Sequence, residues 1–312
     1  MTDRRGFLTG LVACGLAPTA LADAAPGPAP AAPRPAAAPA IRVGYQIFGW
    51  GRNFPSAWWR GAEQVASVGF QGIEGEYTIS ECYLGREAEF VERMQRTGVR
   101  LTALYSTTDL ERAAERYENT RKNLAAAAFC AKAGAGVIVV GGTEARGKAP
   151  ELYTAYAREA SELGRRTLGE HGVRLAFHPH VGSLIEDREQ IARVMDASDP
   201  RAFFLAPDTG HLLAGGCDPV EVYRSYAARI VHTHLKDWAP PASAGARGAF
   251  LPLGQGRVDF AGIVAALRAA RFTGWLNVEL DGRGGADALD VARGARGYVE
   301  TRLGLTLGER AA

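Results

Sequence analysis

Eight short apolar runs between Ile41 and Leu305, each followed by an amphipathic segment of helical period, and no Gly-rich phosphate turn after the first run, predict a single-domain (β/α)8 TIM barrel. The missing turn separates this reading from a doubly wound open sheet. Gly49-Trp50-Gly51-Arg52 is not followed by a third glycine on an opening helix. In order, the strands are expected over Ile41 to Ile47, Phe70 to Glu74, Val99 to Tyr105, Val137 to Val140, Val173 to Phe177, Ala202 to Ala206, Arg229 to Thr233 and Trp275 to Leu280. Helices are expected over Ser56 to Val68, Glu87 to Thr97, Glu111 to Ala133, Glu151 to His171, Asp187 to Asp196, Pro219 to Tyr226, Phe260 to Ala270 and Ala286 to Thr301. Gly69, Gly98, Gly134, Gly136, Gly172 and Gly274 each stand between a helical segment and the next strand, where a left-handed C-terminal cap is expected. Asp187, three residues before Gln190, has the form of an N-terminal cap.

The composition narrows the partners. A chain of 312 residues that is 47% hydrophobic can bury a full core. Its net charge of +2, without a run of Lys and Arg, gives no electrostatic footprint for nucleic acid or an anionic membrane. No later stretch reaches the roughly 18 apolar residues of a spanning helix. Residues 1–22 resemble a twin-arginine export signal: Arg4 and Arg5, then a weakly apolar segment, then Ala20-Leu21-Ala22 as a cleavage site. Residues 23–40 are almost all Ala and Pro and read as an extended linker. The expected location is therefore periplasmic or extracellular. Leu11-Val12-Ala13-Cys14 also fits a lipid-attachment box, which leaves an anchor through Cys14 open. Cys82, Cys130 and Cys217 have unrelated spacings and form no disulfide framework. Residues 306–312 are expected to be a C-terminal tail.

The chemistry concentrates between Arg174 and Asp237, which hold five of the six histidines. His178 and His180, then Asp208 and His211, then His232, His234 and Lys236, each follow or close a predicted strand. In such a barrel the strand C-termini form the functional rim. Glu74, Glu76, Thr107, Asp109, Thr143, Glu144, Glu279 and Asp281 fall on the same rim. Imidazole and carboxylate together suit a divalent ion such as Mn, Co, Zn, Fe or Mg. The two-residue spacing of His232 and His234 turns both to one face of a strand, with His232 a layer deeper. Trp50 and Trp238, just past strand ends, are expected to wall the mouth, and Trp58 and Trp59 to pack a helix. Gly254-Gln255-Gly256 has no basic cluster beside it except Arg257, so the substrate is expected to be unphosphorylated.

The ordered combination of Phe177-His-Pro-His180-Val-Gly, Asp208-Thr-Gly-His211, Arg229-Ile-Val-His-Thr-His234-Leu-Lys-Asp237, Gly254-Gln-Gly256 and Val278-Glu279-Leu resembles the sugar phosphate isomerase/epimerase superfamily with a xylose isomerase-like TIM barrel. Within it, the chain is most similar to inosose dehydratase-like members. The resemblance covers Ile41 to about Leu305. It implies one divalent metal, with Asp208, His234 and Glu279 at family ligand positions and His178 where many members carry a glutamate. That departure leaves Glu279 without a partner glutamate, as in the dehydratase-like branch. The implied reaction removes a proton α to the carbonyl of a keto-sugar, inosose or keto-glycoside, with isomerisation, epimerisation or dehydration following. Glu279 or His180 is the expected base, His211 or Lys236 the proton donor, and Glu74 orients substrate hydroxyls. The partner implied is a small carbohydrate and not nucleic acid, while homo-oligomerisation stays open. Two other classes also stay open. One is an exported barrel that binds sugar or metal without turnover. The other is an abasic-site nuclease of the endonuclease IV type, whose Asp-Thr-x-His segment is similar to Asp208 to His211 but which carries histidines on early strands, whereas here none precedes His171.

Overall fold

Alternation along each strand decides what faces the barrel interior and what faces the helices. In β1 (Arg42–Gln46), Val43 and Tyr45 are buried among the helices, whereas Gly44 turns inward against Asn277. The computed structural model describes residues 41–51, 54–243, 248–281 and 286–307. The expected signal (1–22) with Cys14, the linker (23–40) and residues 308–312 of the expected tail lie outside them. Leu303, Leu305 and Leu307 are buried in the core, so packing reaches past the expected end at 305.

β1 pairs with β2 (Gly72–Glu76), followed in parallel by β3 (Arg100–Thr107), β4 (Val137–Gly141), β5 (Arg174–His178) and β6 (Phe203–Leu205). On its other side β1 pairs with β10 (Trp275–Val278), which pairs with β7 (His232–Leu235). The ring closes between β6 and β7, where Leu205 N donates to Arg229 O at 2.8 Å, Val231 N to Leu205 O at 3.1 Å and His234 N to Pro207 O at 3.0 Å. The lower interior is filled by Ala103, Val137, Val139, Ala176, Ala206 and Val231, and the polar residues sit above them.

Helices α1 (Ser56–Val68) and α3 (Glu87–Thr97) have the predicted bounds. α5 (Pro150–His171), α6 (Arg188–Ala197), α8 (Pro219–Ser225), α9 (Phe260–Ala269) and α10 (Ala288–Thr301) lie within a residue or two of prediction. α4 (Arg116–Ala133) starts later than Glu111, after a 3-10 turn at Ala113–Glu115. Gly69, Gly98, Gly134 and Gly172 adopt the left-handed cap. Gly136 and Gly274 do not, and at the end of α9 Arg271 takes positive φ instead. Among the described residues, a 3-10 turn at Ile47–Trp50, α2 (Thr78–Cys82), α7 (Thr209–Ala214) and a hairpin of β8 (Asp237–Ala239) with β9 (Ala249–Leu251) went unpredicted.

β7 also differs from its predicted span, Arg229 to Thr233. It lies three residues later, so His232 and His234 are inside the strand. Asp187 forms the full capping box of α6: its Oδ1 accepts from Gln190 N at 2.9 Å, and Gln190 Oε1 accepts from Asp187 N at 3.4 Å. Asp187→Ala is expected to cost about 1 kcal/mol. Urea unfolding measures it, and an unchanged midpoint would remove the cap from the stability of α6.

Candidate active site

At the strand C-termini a cleft of about 170 Å³ opens to solvent. Gln46, Phe48, Glu76, Tyr105, Thr107, His178, His180, Glu279 and Asp281 line it. The tryptophans expected at the mouth are elsewhere. Trp50 is buried edge-on to Tyr45 at 5.6 Å and its indole donates to Gln64, and Trp238 packs over Gly248. Trp58 and Trp59 pack in α1 against Phe90, as expected of helix residues.

Beneath the cleft, four side chains from four strand ends converge. His178 closes β5, and its ring lies 4.8 Å from that of His234. Asp208 caps α7: its Oδ1 accepts from His211 N at 2.8 Å, and its Oδ2 points inward, 3.3 Å from Lys236 Nζ. His234 presents Nε2 to Glu74 Oε2 at 3.0 Å, so the Nε2 proton is donated there and Nδ1 faces the interior. That Nδ1 is 2.7 Å from Glu279 Oε2 and 3.8 Å from Asp208 Oδ2. His178 Nδ1, Asp208 Oδ2, His234 Nδ1 and Glu279 Oε2 are all buried; His234 Nδ1 and Glu279 Oε2 pair with each other, Asp208 Oδ2 has Lys236 Nζ at 3.3 Å, and His178 Nδ1 has no hydrogen-bond partner. A buried polar atom left without a partner costs on the order of 1–3 kcal/mol. Unpartnered buried atoms occur elsewhere among the described residues, including Trp58 Nε1 and Tyr156 Oη on helices and His232 Nδ1 a layer below, but these four meet. Two imidazole nitrogens and two carboxylate oxygens form a donor set that a divalent ion accepts. For His178, Asp208 and His234, the candidate ligand atoms all lie within 4.8 Å of one another.

Charge in this group follows from burial and pairing. Burial, offset in part by Lys236 and His234 and reinforced by Glu279, pushes the Asp208 carboxyl up to about 6. Burial, with His234 and His211 adding to it, holds His178 well below the ordinary imidazole value. Burial would also depress His234, but Glu74 and Glu279 outweigh it and raise its pKa well above that value.

Glu74 does not reach the cleft. It is fully buried one layer down, with Oε2 2.6 Å from His232 Nε2, 3.0 Å from His234 Nε2 and 2.9 Å from Asn277 Nδ2. Expected to orient substrate hydroxyls, it lies instead behind the ring of His234 and fixes it there.

His211 and Lys236, the expected proton donors, are both buried at 1% exposure or less and do not line the cleft. Lys236 Nζ is 2.7 Å from Asp281 Oδ2, 3.0 Å from His211 Nε2, 3.2 Å from Glu279 Oε1 and 3.3 Å from Asp208 Oδ2. Burial alone would lower its pKa, but Asp208, Glu279 and Asp281 overcome it and hold the ammonium charged. Phe250 of β9 covers His211 at 4.7 Å. His180 does reach the cleft. Its ring stacks on His211 at 3.8 Å, and its Nδ1 lies 2.8 Å from Val181 O.

The Gly254 to Gly256 segment is already engaged. Gly254 N and Gly256 N each donate to Asp237 Oδ2 at 2.8 Å, and Trp238 N and Val258 N donate to Oδ1 at 2.9 and 3.2 Å. These amides bind the chain's own carboxylate, and they are not available to a phosphate.

Sequence reasoning did not single out Tyr105 or Gln46 for the site, and it placed Asp281 on the rim without a role. An aromatic in a predicted strand reads as core, although Tyr105, two residues after the inward Ala103, shares its face. Its hydroxyl lies directly over Gly141, where any Cβ would overlap it. Asp281 lies on the strand-end list, and its pairing with Lys236 depends on a side chain 45 residues away.

The sequence profile of the xylose isomerase-like TIM barrel family matches residues 62–301. An inosose dehydratase of Geobacillus kaustophilus is 39% identical over 124 residues, covering 36% of this chain and 40% of that protein. The chain therefore spans less than half the length of that relative. An inosose dehydratase of Geobacillus thermodenitrificans is 28% identical over 269 residues, covering 78% of this chain and 88% of that protein. A crystal structure of a xylose isomerase-like TIM barrel protein from Mycobacterium smegmatis in complex with magnesium superposes with a TM-score of 0.69 at 20% identity, covering 83% of this chain and 95% of that one.

Proposed function

Since the chain belongs to the xylose isomerase-like TIM barrel family, we propose that it is a metal-dependent enzyme that removes a proton α to the carbonyl of an unphosphorylated keto-sugar, inosose or keto-glycoside. The convergence of four buried donor atoms, two imidazole nitrogens and two carboxylate oxygens, directly under the open cleft carries this reading. His178, Asp208, His234 and Glu279 would hold the ion. When bound, a divalent ion polarises a carbonyl and its neighbouring hydroxyl, which eases removal of the α proton.

The chain's own groups supply the proton traffic. Val181 O takes the Nδ1 proton of His180, so the Nε2 lone pair is available and His180 is the better base. Glu279, the other expected base, is more committed, with Oε1 3.2 Å from the Lys236 ammonium and Oε2 in the buried group. Burial, with Glu279 nearby, raises the Tyr105 phenol above its ordinary value, which keeps it protonated and able to give a proton to a departing hydroxyl. The inosose dehydratase relatives support loss of water as the outcome. Isomerisation or epimerisation is the second reading, favoured by Glu76, a further carboxylate on the cleft. The twin-arginine segment supports export of an already folded, metal-loaded enzyme.

A proton NMR time course in D2O tests the proposal, using the chain from Asp23 onward loaded with Mg2+ or Zn2+ and a panel of inososes, ketohexoses and 3-keto-glucosides. Deuterium next to the carbonyl or a new vinylic signal is the expected result, and the vinylic signal identifies dehydration. Substrates that bind yet stay unlabelled would sink the enzyme reading in favour of a binding barrel.

A further inference from the structure

The Lys236 ammonium occupies a place chemically suited to a metal ion. Three carboxylates and an imidazole surround it, from Asp281, Glu279, Asp208 and His211, at 2.7 to 3.3 Å. Apart from the lysine, His180, His211 and Asp281 each offer a ligand atom, all within 4.8 Å of one another. This second group adjoins the first, and the two meet through the carboxylates of Asp208 and Glu279. The lysine is placed firmly there. Thr209 Oγ1 accepts from its backbone N at 2.9 Å and donates to its O at 2.7 Å. The stem runs so close to Gly210 that a Cβ on that residue would fall 2.9 Å from Lys236 Cγ.

We infer that Lys236 stands in for a second divalent cation, so that the site accepts one ion and no more, and that loss of the lysine opens a second ion site on Asp281, His211 and His180. The inference rests on the metal reading of His178, Asp208, His234 and Glu279. Charge supports it. Asp208, Glu279 and Asp281 together carry three negative charges, which one divalent ion and one ammonium balance. Glu74 stands apart, satisfied by His232, His234 and Asn277. A second divalent ion beside an intact ammonium would leave uncompensated positive charge in a buried group. Lys236 is on this account a positioning residue: it turns one oxygen each of Asp208 and Glu279 and supplies a positive charge that cannot dissociate.

The test counts ions. The full chain, stripped by chelator, is equilibrated with Mn2+, and bound metal is measured per folded chain, with folding checked by circular dichroism. One ion is expected for the wild type, two for Lys236→Ala, and one again for Lys236→Ala combined with Asp281→Asn. Electron paramagnetic resonance should show an isolated Mn2+ in the wild type and a coupled pair in Lys236→Ala. A wild type that binds one ion and a folded Lys236→Ala that also binds one overturn this inference alone. A wild type that binds none overturns the metal centre and this inference with it. The wild-type count decides even where the variant does not fold, since a second tightly held ion beside an intact Lys236 contradicts the proposal.

Discussion

His234→Ala is expected to give a folded barrel that retains no stoichiometric divalent ion and no measurable proton exchange. The fold survives because Glu74 keeps two other donors, His232 at 2.6 Å and Asn277 at 2.9 Å, so one hydrogen bond is lost from a network that remains satisfied. The ion does not survive. His234 Nδ1 stands between Asp208 and Glu279, and His178 alone cannot replace an imidazole at that point. Activity should drop by more than the roughly 10²–10⁴-fold that removal of a single acid or base group costs. Metal analysis of the purified variant and deuterium incorporation into substrate are the two readings. A variant that keeps a full equivalent of metal and wild-type exchange refutes the assignment of His234.

Glu74→Leu should produce the largest loss of stability at any single position of the site. Glu74 is a fully buried anion whose carboxyl lies well below the ordinary carboxylate range: burial alone would raise it, but His234 and His232 pull it down by more. Substituting leucine removes the acceptor shared by His232, His234, Asn277 and Gln46. Breaking a buried charged pair on one side costs about 3–5 kcal/mol. The milder Glu74→Gln keeps the volume and one acceptor oxygen. It should fold, yet bind metal about 10–100-fold more weakly, because the His234 ring loses the carboxylate that orients it. Urea unfolding of the metal-free chains and titration calorimetry with Zn2+ measure the two effects. Wild-type stability and affinity in both variants would show that the buried carboxylate does not support the ligand.

The helices were legible where periodicity and punctuation coincide. α1 and α3 end at Gly69 and Gly98, both left-handed, and their predicted bounds hold. β7 was misplaced because the search for an apolar run stops at His232, whereas an inward histidine counts as interior once Glu74 and Asn277 receive it. α7 was missed for a related reason: Asp208-Thr-Gly-His211 has too few apolar residues to show a period, and its helix starts from the Asp208 cap. The grouping of His178, Asp208, His234 and Glu279 at one rim could be expected, since each lies at or next to the end of a strand. Height along the barrel axis could not. Glu74 and Glu279 were both expected at strand ends, but β2 continues to Glu76 and so keeps Glu74 inside the barrel, whereas Glu279 follows the last residue of β10 beside the cleft. The burial of Lys236 and His211 depends on Phe250, delivered by a hairpin that no local pattern announced.

The hold on Asp237 has a consequence for how such a protein can diversify. Its carboxylate draws four amides around it, at Trp238, Gly254, Gly256 and Val258. The chain that departs after β7 is thereby tied off where it returns. The hairpin of β8 and β9 hangs from that knot, with its base already closed. Changes of length or composition there need not loosen the barrel wall that carries His234. Asp237 thus separates the strand that carries His234 from the hairpin that follows it.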